Sequence, residues 1–163
     1  MLLNITTRRC AVRHFRAEDI DAFMAYRNDA VWMRYQGFKG LTKEDYESVL
    51  LGRQSIRQGV QLAVVCRESD RLIGDLYLKR DGDVCWLGYT ISPQKARHGY
   101  MFETVTETIR ALAAQGIAEI RAGVAPGNDA SISLLKKLQF EQVGADEDEV
   151  ICALRPARSM PKE

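Results

Sequence analysis

The stretch richest in chemistry is Ile91-Ser92-Pro93-Gln94-Lys95-Ala96-Arg97-His98-Gly99-Tyr100-Met101-Phe102-Glu103. A strand-like run stops at Pro93, basic side chains follow, and a glycine opens an amphipathic segment. The first turn of a helix has N–H groups without intrahelical acceptors and carries about half a positive charge. A helix starting at Gly99 therefore offers backbone donors to an anion. Lys95, Arg97 and His98 add positive charge, and Gly99 puts no Cβ between a phosphate and the backbone. The spacing predicts a phosphate-binding loop, in which His98 reads as an anion contact rather than a base.

Other candidate groups are more scattered. Asn128-Asp129-Ala130-Ser131 opens a second helical segment, where Asn128 suits an N-cap and Ser131 falls in the first turn, a pairing that needs no function. Asp75 lies in an apolar run and alternates unevenly with Leu72, Leu76 and Leu78, so its face is open: a general base or a solvated strand acid. Asp146 to Glu149 form an acidic run that reads as a solvated turn.

The elements that position these groups follow from periodicity. A short strand at Cys10–Phe15 precedes helical spacing at Ile20, Phe23, Met24 and Tyr26, and Thr42 with Asp45 has capping-box spacing for another helix. The chain reads as mostly helical up to Gly59. Residues 61–66, 72–79 and 84–91 then form an antiparallel meander with a hairpin at Asp81-Gly82. Phe102, Val105, Ile109 and Leu112 define one face of a crossover helix closed by Gly116. A strand at 117–124, parallel to the last meander strand, a helix at 128–138 and strands at 140–143 and 150–154 complete the order. Gln139 stands at that helix end, where a positive φ would strain it. No linker or repeat interrupts the pattern, so residues 1–155 read as one α+β domain with a mixed, mostly antiparallel sheet of about seven strands. Residues 156–163 read as a disordered tail.

Composition excludes other classes. With 23 Lys+Arg against 22 Asp+Glu, the net charge of +1 gives no global field for a polyanion, and the basic residues are scattered among acids. Neither nucleic acid nor a membrane is expected as partner, and no apolar run approaches the roughly 20 residues of a membrane span. The four cysteines sit in apolar runs without a C-x-x-C pair, as small buried hydrophobes of a reducing compartment, and no metal site is expected. Met1 to Arg9 has too few apolar residues for a secretory signal. The reading is cytoplasmic.

This order of elements, with Leu87-Gly88-Tyr89-Thr90-Ile91, the basic loop into Gly99, and Asn128-x-x-Ser131 followed by Leu138-Gln139-Phe140, resembles the GNAT superfamily of acyl-CoA-dependent N-acetyltransferases. It is most similar to the branch that acetylates ribosomal-protein N-termini. The likeness runs from Cys10 to about Leu154 and implies helices on both faces of the sheet. It also implies acetyl-CoA as co-substrate, an amine on a protein N-terminus or small molecule as acceptor, and the homodimers common among relatives. Relatives bind the coenzyme A pyrophosphate through backbone amides of a Gln/Arg-x-x-Gly-x-Gly/Ala loop. Ala96, Gly99 and Met101 stand at its three defined positions, so one of the three is kept. Arg97, His98, Gly99, Tyr100 and Met101 are the implied pyrophosphate contacts, and Tyr89, Thr90 and Ile91 the implied backbone contacts to the acetyl group.

By the same resemblance Asn128 contacts the pantetheine arm or substrate, and Ser131 approaches the departing sulfur as proton donor. Many relatives use a Tyr one turn further on, where this chain has Leu135; Trp86 occupies the place of a common Glu, which leaves Asp75 as the candidate base. Glu103 matches an acid of relatives, or is a first-turn acid stabilised by the helix dipole. Trp32, Tyr35 and Phe38 fall where relatives build the acceptor wall, or are core, and the 146–149 loop would border the acceptor mouth. Direct attack needs a neutral amine: roughly 10% of an α-amine is neutral at pH 7, against about 0.04% of a lysine amine. The partial loop also leaves a non-catalytic acyl-CoA-binding module as the alternative.

Overall fold

The computed structural model describes residues 4–156. Eight strands, β1 (Ile5–Thr6), β2 (Cys10–Arg13), β3 (Val60–Cys66), β4 (Leu72–Asp81), β5 (Val84–Ile91), β6 (Glu119–Val124), β7 (Glu141–Ala145) and β8 (Val150–Leu154), share one sheet in the order β1-β2-β3-β4-β5-β6-β8-β7. Only β5 and β6 are parallel among these neighbours. The expected mixed, mostly antiparallel α+β sheet is present. The strand not foreseen is β1, whose two residues are too few to show an alternation. The expected tail beyond Pro156 lies outside the described residues.

The helices are α1 (Ile20–Arg27), α2 (Lys43–Leu50), α3 (Tyr100–Ala114) and α4 (Asp129–Lys137). They cover both faces, which is why β3 is buried from Val60 to Val65 rather than alternating. Val60, Leu62 and Val64 pack with Val105, Ile109, Leu112 and Leu135 of α3 and α4. Ala63 and Val65 pack with Phe23, Tyr26, Tyr46 and Leu50 of α1 and α2. Edge-to-face contacts of Phe23 with Phe15 and Tyr46, at 5.1 and 5.3 Å, give that second core its shape.

The expectation of mostly helix up to Gly59 needs correction between α1 and α2, where residues 29–35 form successive turns. Local side chains compete for the backbone there. Asp29 Oδ1 accepts the N–H groups of Val31 and Trp32, Lys39 Nζ donates to the Met33 carbonyl, and Arg27 donates to that of Gly37. The Thr42–Asp45 capping box and the Gly82 hairpin, at φ +62°, form as expected.

Helices α3 and α4 end in the same motif. After α3, Ile117 N–H bonds the Leu112 carbonyl and Gly116 the Ala113 carbonyl; after α4, Phe140 bonds Leu135 and Gln139 bonds Lys136. The residue that must turn left-handed is Gly116 at φ +90° in one case and Gln139 at φ +73° in the other. A side chain in that region costs about 1 kcal/mol. Gln139→Gly is expected to raise stability by about 0.5 kcal/mol after the entropy that glycine adds to the unfolded chain. The measurement is the urea midpoint at constant m, and a lower midpoint would contradict strain at this position.

Candidate active site

Strands β5 and β6 pair over only three positions, Val84 with Glu119, Cys85 with Ile120 and Trp86 with Arg121. Beyond them the strands part, β5 staying with β4 and β6 with β8. The gap forms a cavity of about 40 Å³ between Leu87–Tyr89 and Ala122–Val124, closed by Tyr35, Gln36, Asn128 and Ser131. Ser92 N–H bonds the Ile73 carbonyl on β4, while the Ile91 carbonyl accepts from Trp32 Nε1 at 2.8 Å. Backbone direction alternates along a strand, so the N–H groups of Tyr89 and Ile91 point away from β4 toward the gap, and that of Thr90 toward β4.

The two faces of the gap carry different chemistry. On the α3/α4 side the Tyr89 hydroxyl lies 2.8 Å from Ser131 Oγ. Ser131 N–H in turn donates to Asn128 Oδ1 at 3.3 Å, the N-cap bond of α4. Burial pushes the Tyr89 phenol up to about 12, with the Ser131 bond pulling the other way. Leu135 is fully buried one turn beyond Ser131. On the opposite face the Glu149 carboxylate lies against Gly123, where a Cβ would collide with it. Ala122 and Val124 face the α3/α4 core, so alternation puts Glu149 on the α1/α2 side. Asp146 Oδ1 accepts the N–H groups of Asp148 and Glu149, making the acidic run an ordered turn.

The segment between α1 and α2 spans the gap. Trp32 holds the Ile91 carbonyl, and the Tyr35 hydroxyl lies 3.1 Å from where a Gly127 Cβ would stand. Tyr35 is exposed and lines the cavity, whereas Phe38 packs edge-on to Tyr46 at the margin of the α1/α2 core.

The basic loop has the geometry of an anion cradle. Arg97 and Gly99 are left-handed at φ +65° and +76°, and no side chain caps α3. The first bond of the helix is from Glu103 N–H to the Gly99 carbonyl, which leaves the N–H groups of Tyr100, Met101 and Phe102 without helical acceptors. Lys95, Arg97 and His98 are exposed around them, while the Met101 side chain is core. Beside the start of α3, the Arg9 guanidinium approaches Gly99, stacks 4.2 Å over Tyr100 and bonds Glu103 at 2.8 Å. The Thr7 hydroxyl and Arg9 N–H also donate to Glu103. Burial works to raise the Glu103 carboxyl, yet these bonds outweigh it and hold its pKa below the ordinary value. Glu103 thus ties the β1–β2 turn to α3. Beside it runs an open groove of about 770 Å³ carrying Arg8, Arg9 and Arg67.

Asp75 is neither a solvated acid nor an accessible one. It is wholly buried, its Oδ1 accepting from Arg27 at 2.6 Å and Gln61 at 2.7 Å and its Oδ2 from the Tyr26 hydroxyl. Arg27 also reaches Thr90 Oγ1 at 3.2 Å and the carbonyls of Gly37 and Phe38. Both carboxylate oxygens are engaged by buried donors, and neither reaches the gap as a free base. The structure therefore brings Tyr89, Asn128 and Ser131 together, keeps Arg97 to Met101 as a separate cradle, and holds Asp75 beneath Thr90. The Tyr89 side chain, Arg27 and Arg9 escape the sequence pattern because each acts across strands or helices distant in the chain.

A family profile described as the acetyltransferase (GNAT) domain matches residues 9–141. An uncharacterized N-acetyltransferase of Bacillus subtilis, YoaA, is 27% identical over 151 residues, covering 86% of this chain and 84% of its own length. The crystal structure of a GNAT-family acetyltransferase from Bacillus anthracis superposes with a TM-score of 0.82 at 20% identity, covering 94% of this chain and 98% of the other. That of RimL, a ribosomal L7/L12 alpha-N-protein acetyltransferase in complex with coenzyme A, does so at 0.80 and 15% identity, over 94% and 98%.

Removing one partner of a buried ion pair costs roughly 3–5 kcal/mol, because the other charge is left without compensation. Asp75→Ala is expected to lower the thermal midpoint accordingly. A variant that melts like the wild type but has lost only turnover would instead make Asp75 a base.

Proposed function

Because the chain belongs to the acetyltransferase (GNAT) family and is an acetyl-CoA-dependent N-acetyltransferase, we propose that it acetylates a primary amine, on a protein N-terminus or a small molecule, by direct attack within the gap between β5 and β6. The observation that carries this reading is the gap itself: backbone donors at Tyr89 and Ile91, a hydroxyl on one face and a carboxylate on the other. Among the described residues no helix is long and apolar enough to cross a membrane. The reading takes residues 1–155 as one catalytic domain working on partners from solution in the cytoplasm.

Coenzyme A lies with its pyrophosphate on the N–H groups of Tyr100 to Phe102 and the side chains of Arg97 and His98, and its pantetheine passes Asn128. The groove beside Arg8 and Arg9 takes the nucleotide end. The acetyl carbonyl accepts from the Tyr89 or Ile91 N–H, which then stabilises the oxyanion of the tetrahedral intermediate. Glu149 attracts the acceptor's ammonium group across the gap mouth and receives its proton. The neutral nitrogen attacks, the tetrahedral intermediate sheds its extra N–H proton to water, and as the C–S bond breaks the thiolate takes a proton from Ser131. A carboxylate base serves an α-amine better than a lysine amine, since the first needs far less help to be neutral at pH 7.

Titration calorimetry with coenzyme A, followed by thiol release over a panel of peptide and small amines, tests the reading. Heat on binding and acetylation of at least one amine class are expected; absence of binding overturns it, and binding with no turnover on any amine makes the chain a non-catalytic acyl-CoA-binding module. Lys95→Ala with Arg97→Ala is expected to weaken coenzyme A binding about tenfold, and unchanged affinity would remove the phosphate from this loop. Glu149→Gln is expected to lower kcat/KM by about 100-fold at pH 7. The deficit should shrink as pH rises toward the acceptor's pKa, and a deficit independent of pH would assign Glu149 a purely structural part.

A further inference from the structure

We infer that the Tyr89 side chain is a positioning residue for the proton that leaves Ser131. The inference rests on the reading of Ser131 as the proton donor to the thiolate. Its basis is the direction of one hydrogen bond.

The Tyr89 hydroxyl has two neighbours on α4, Ser131 Oγ at 2.8 Å and the Ser131 carbonyl at 3.3 Å. The phenol can donate to that carbonyl as well, whose second lone pair is open beside the α4 ladder bond, but at 3.3 Å this is the longer contact, and the 2.8 Å approach to Oγ is the better use of the phenol proton. A phenol is a much stronger acid than a serine hydroxyl, so of two hydroxyls in contact the phenol is the better donor. Burial pushes the phenol up to about 12, so in the resting enzyme it is protonated and has a proton to donate. Tyr89 therefore donates to Ser131 Oγ. With that lone pair occupied, the Ser131 proton cannot point back at the phenol and is turned toward the gap, where the sulfur departs. Asn128 fixes the other side of the residue by accepting Ser131 N–H.

The arrangement also settles where the charge goes. When Ser131 gives its proton to the thiolate, the phenol proton moves onto Ser131 Oγ, so that no serine alkoxide forms. The transient phenolate recovers a proton from water, balanced by the second proton, which the nitrogen sheds to water after its attack. Thiolate becomes thiol, and the two hydroxyls end as they began.

The test is a double-mutant cycle on thiol release, using the full chain, acetyl-CoA and the best amine of the panel. Tyr89→Phe is expected to lower kcat about tenfold or more while KM for acetyl-CoA stays within twofold. Ser131→Ala should lose at least as much, and the double variant should be no slower than Ser131→Ala alone. Wild-type kcat in Tyr89→Phe, or losses that multiply in the double variant, would overturn the inference, as would a change in KM at constant kcat. A second measurement does not depend on turnover. In protein labelled with [13Cζ]tyrosine, the Tyr89 resonance is expected to shift on Ser131→Ala, and a resonance that stays in place removes the hydrogen bond. If the wild type neither binds coenzyme A nor turns over, the functional reading falls, while this spectrum still decides whether the pair exists.

Discussion

A parallel pair of strands that separates after three residue pairs leaves main-chain groups facing each other across a space too narrow for another strand and too polar for a hydrophobic filling. Buried N–H and C=O groups need partners. At the end of β5 one partner comes from outside the sheet, where the Trp32 indole takes the Ile91 carbonyl, and the Tyr89 side chain ties the same strand to the first turn of α4. Had the two strands remained paired to their ends, the sheet would satisfy its own backbone and present no site. Gly88 and Gly123 stand one on each wall, and the lack of a Cβ at 123 is what lets the Glu149 carboxylate lie against β6.

Holding the strands apart takes rigid support on both sides. On the α1/α2 side it is the ion pair of Arg27 and Asp75, which fastens α1 to β4, to Thr90 of β5 and to the backbone at Gly37 and Phe38. Such a pair is tolerable only because its polar atoms are almost fully matched; Arg27 Nε alone lacks a hydrogen-bond partner among the buried side-chain atoms described, and the guanidinium lies over the Phe23 ring instead. On the other side Glu103 gathers Thr7 and Arg9 and keeps the β1–β2 turn against the start of α3. The anion cradle is thus braced from a part of the chain more than ninety residues away.

Much of the fold was legible in the order of residues because the signals are local. The meander follows from three β-rich runs and Asp81-Gly82, α3 from a 3.6-residue apolar stripe that ends at Gly116, and α4 from its Asn128 cap. Gln139 was legible even as a point of strain. The turns at 29–35 were not, since their apolar and aromatic residues keep a helical look while Asp29, Lys39 and Arg27 bind the backbone away from the helix. Asp75 misled for a related reason: a carboxylate in an apolar run reads as accessible until the arginine that neutralises it, 48 residues earlier, is seen beside it.

What the residues by themselves determined was therefore the kind of chemistry and the pieces that carry it: a basic loop into a helix N-terminus, a capped helix with a serine in its first turn, and a strand with Gly88 before Tyr89. Periodicity, caps and turn residues act within a few positions, so they survive in the linear text. Only the tertiary structure decided which side chains meet. It set Cys10 opposite Cys66, turned Asp75 inward to Arg27, laid Glu149 against Gly123 and carried the Tyr89 hydroxyl to Ser131. Each of those contacts depends on strand register and on the angle at which β5 leaves β6, and a one-residue slip would send every side chain to the other face.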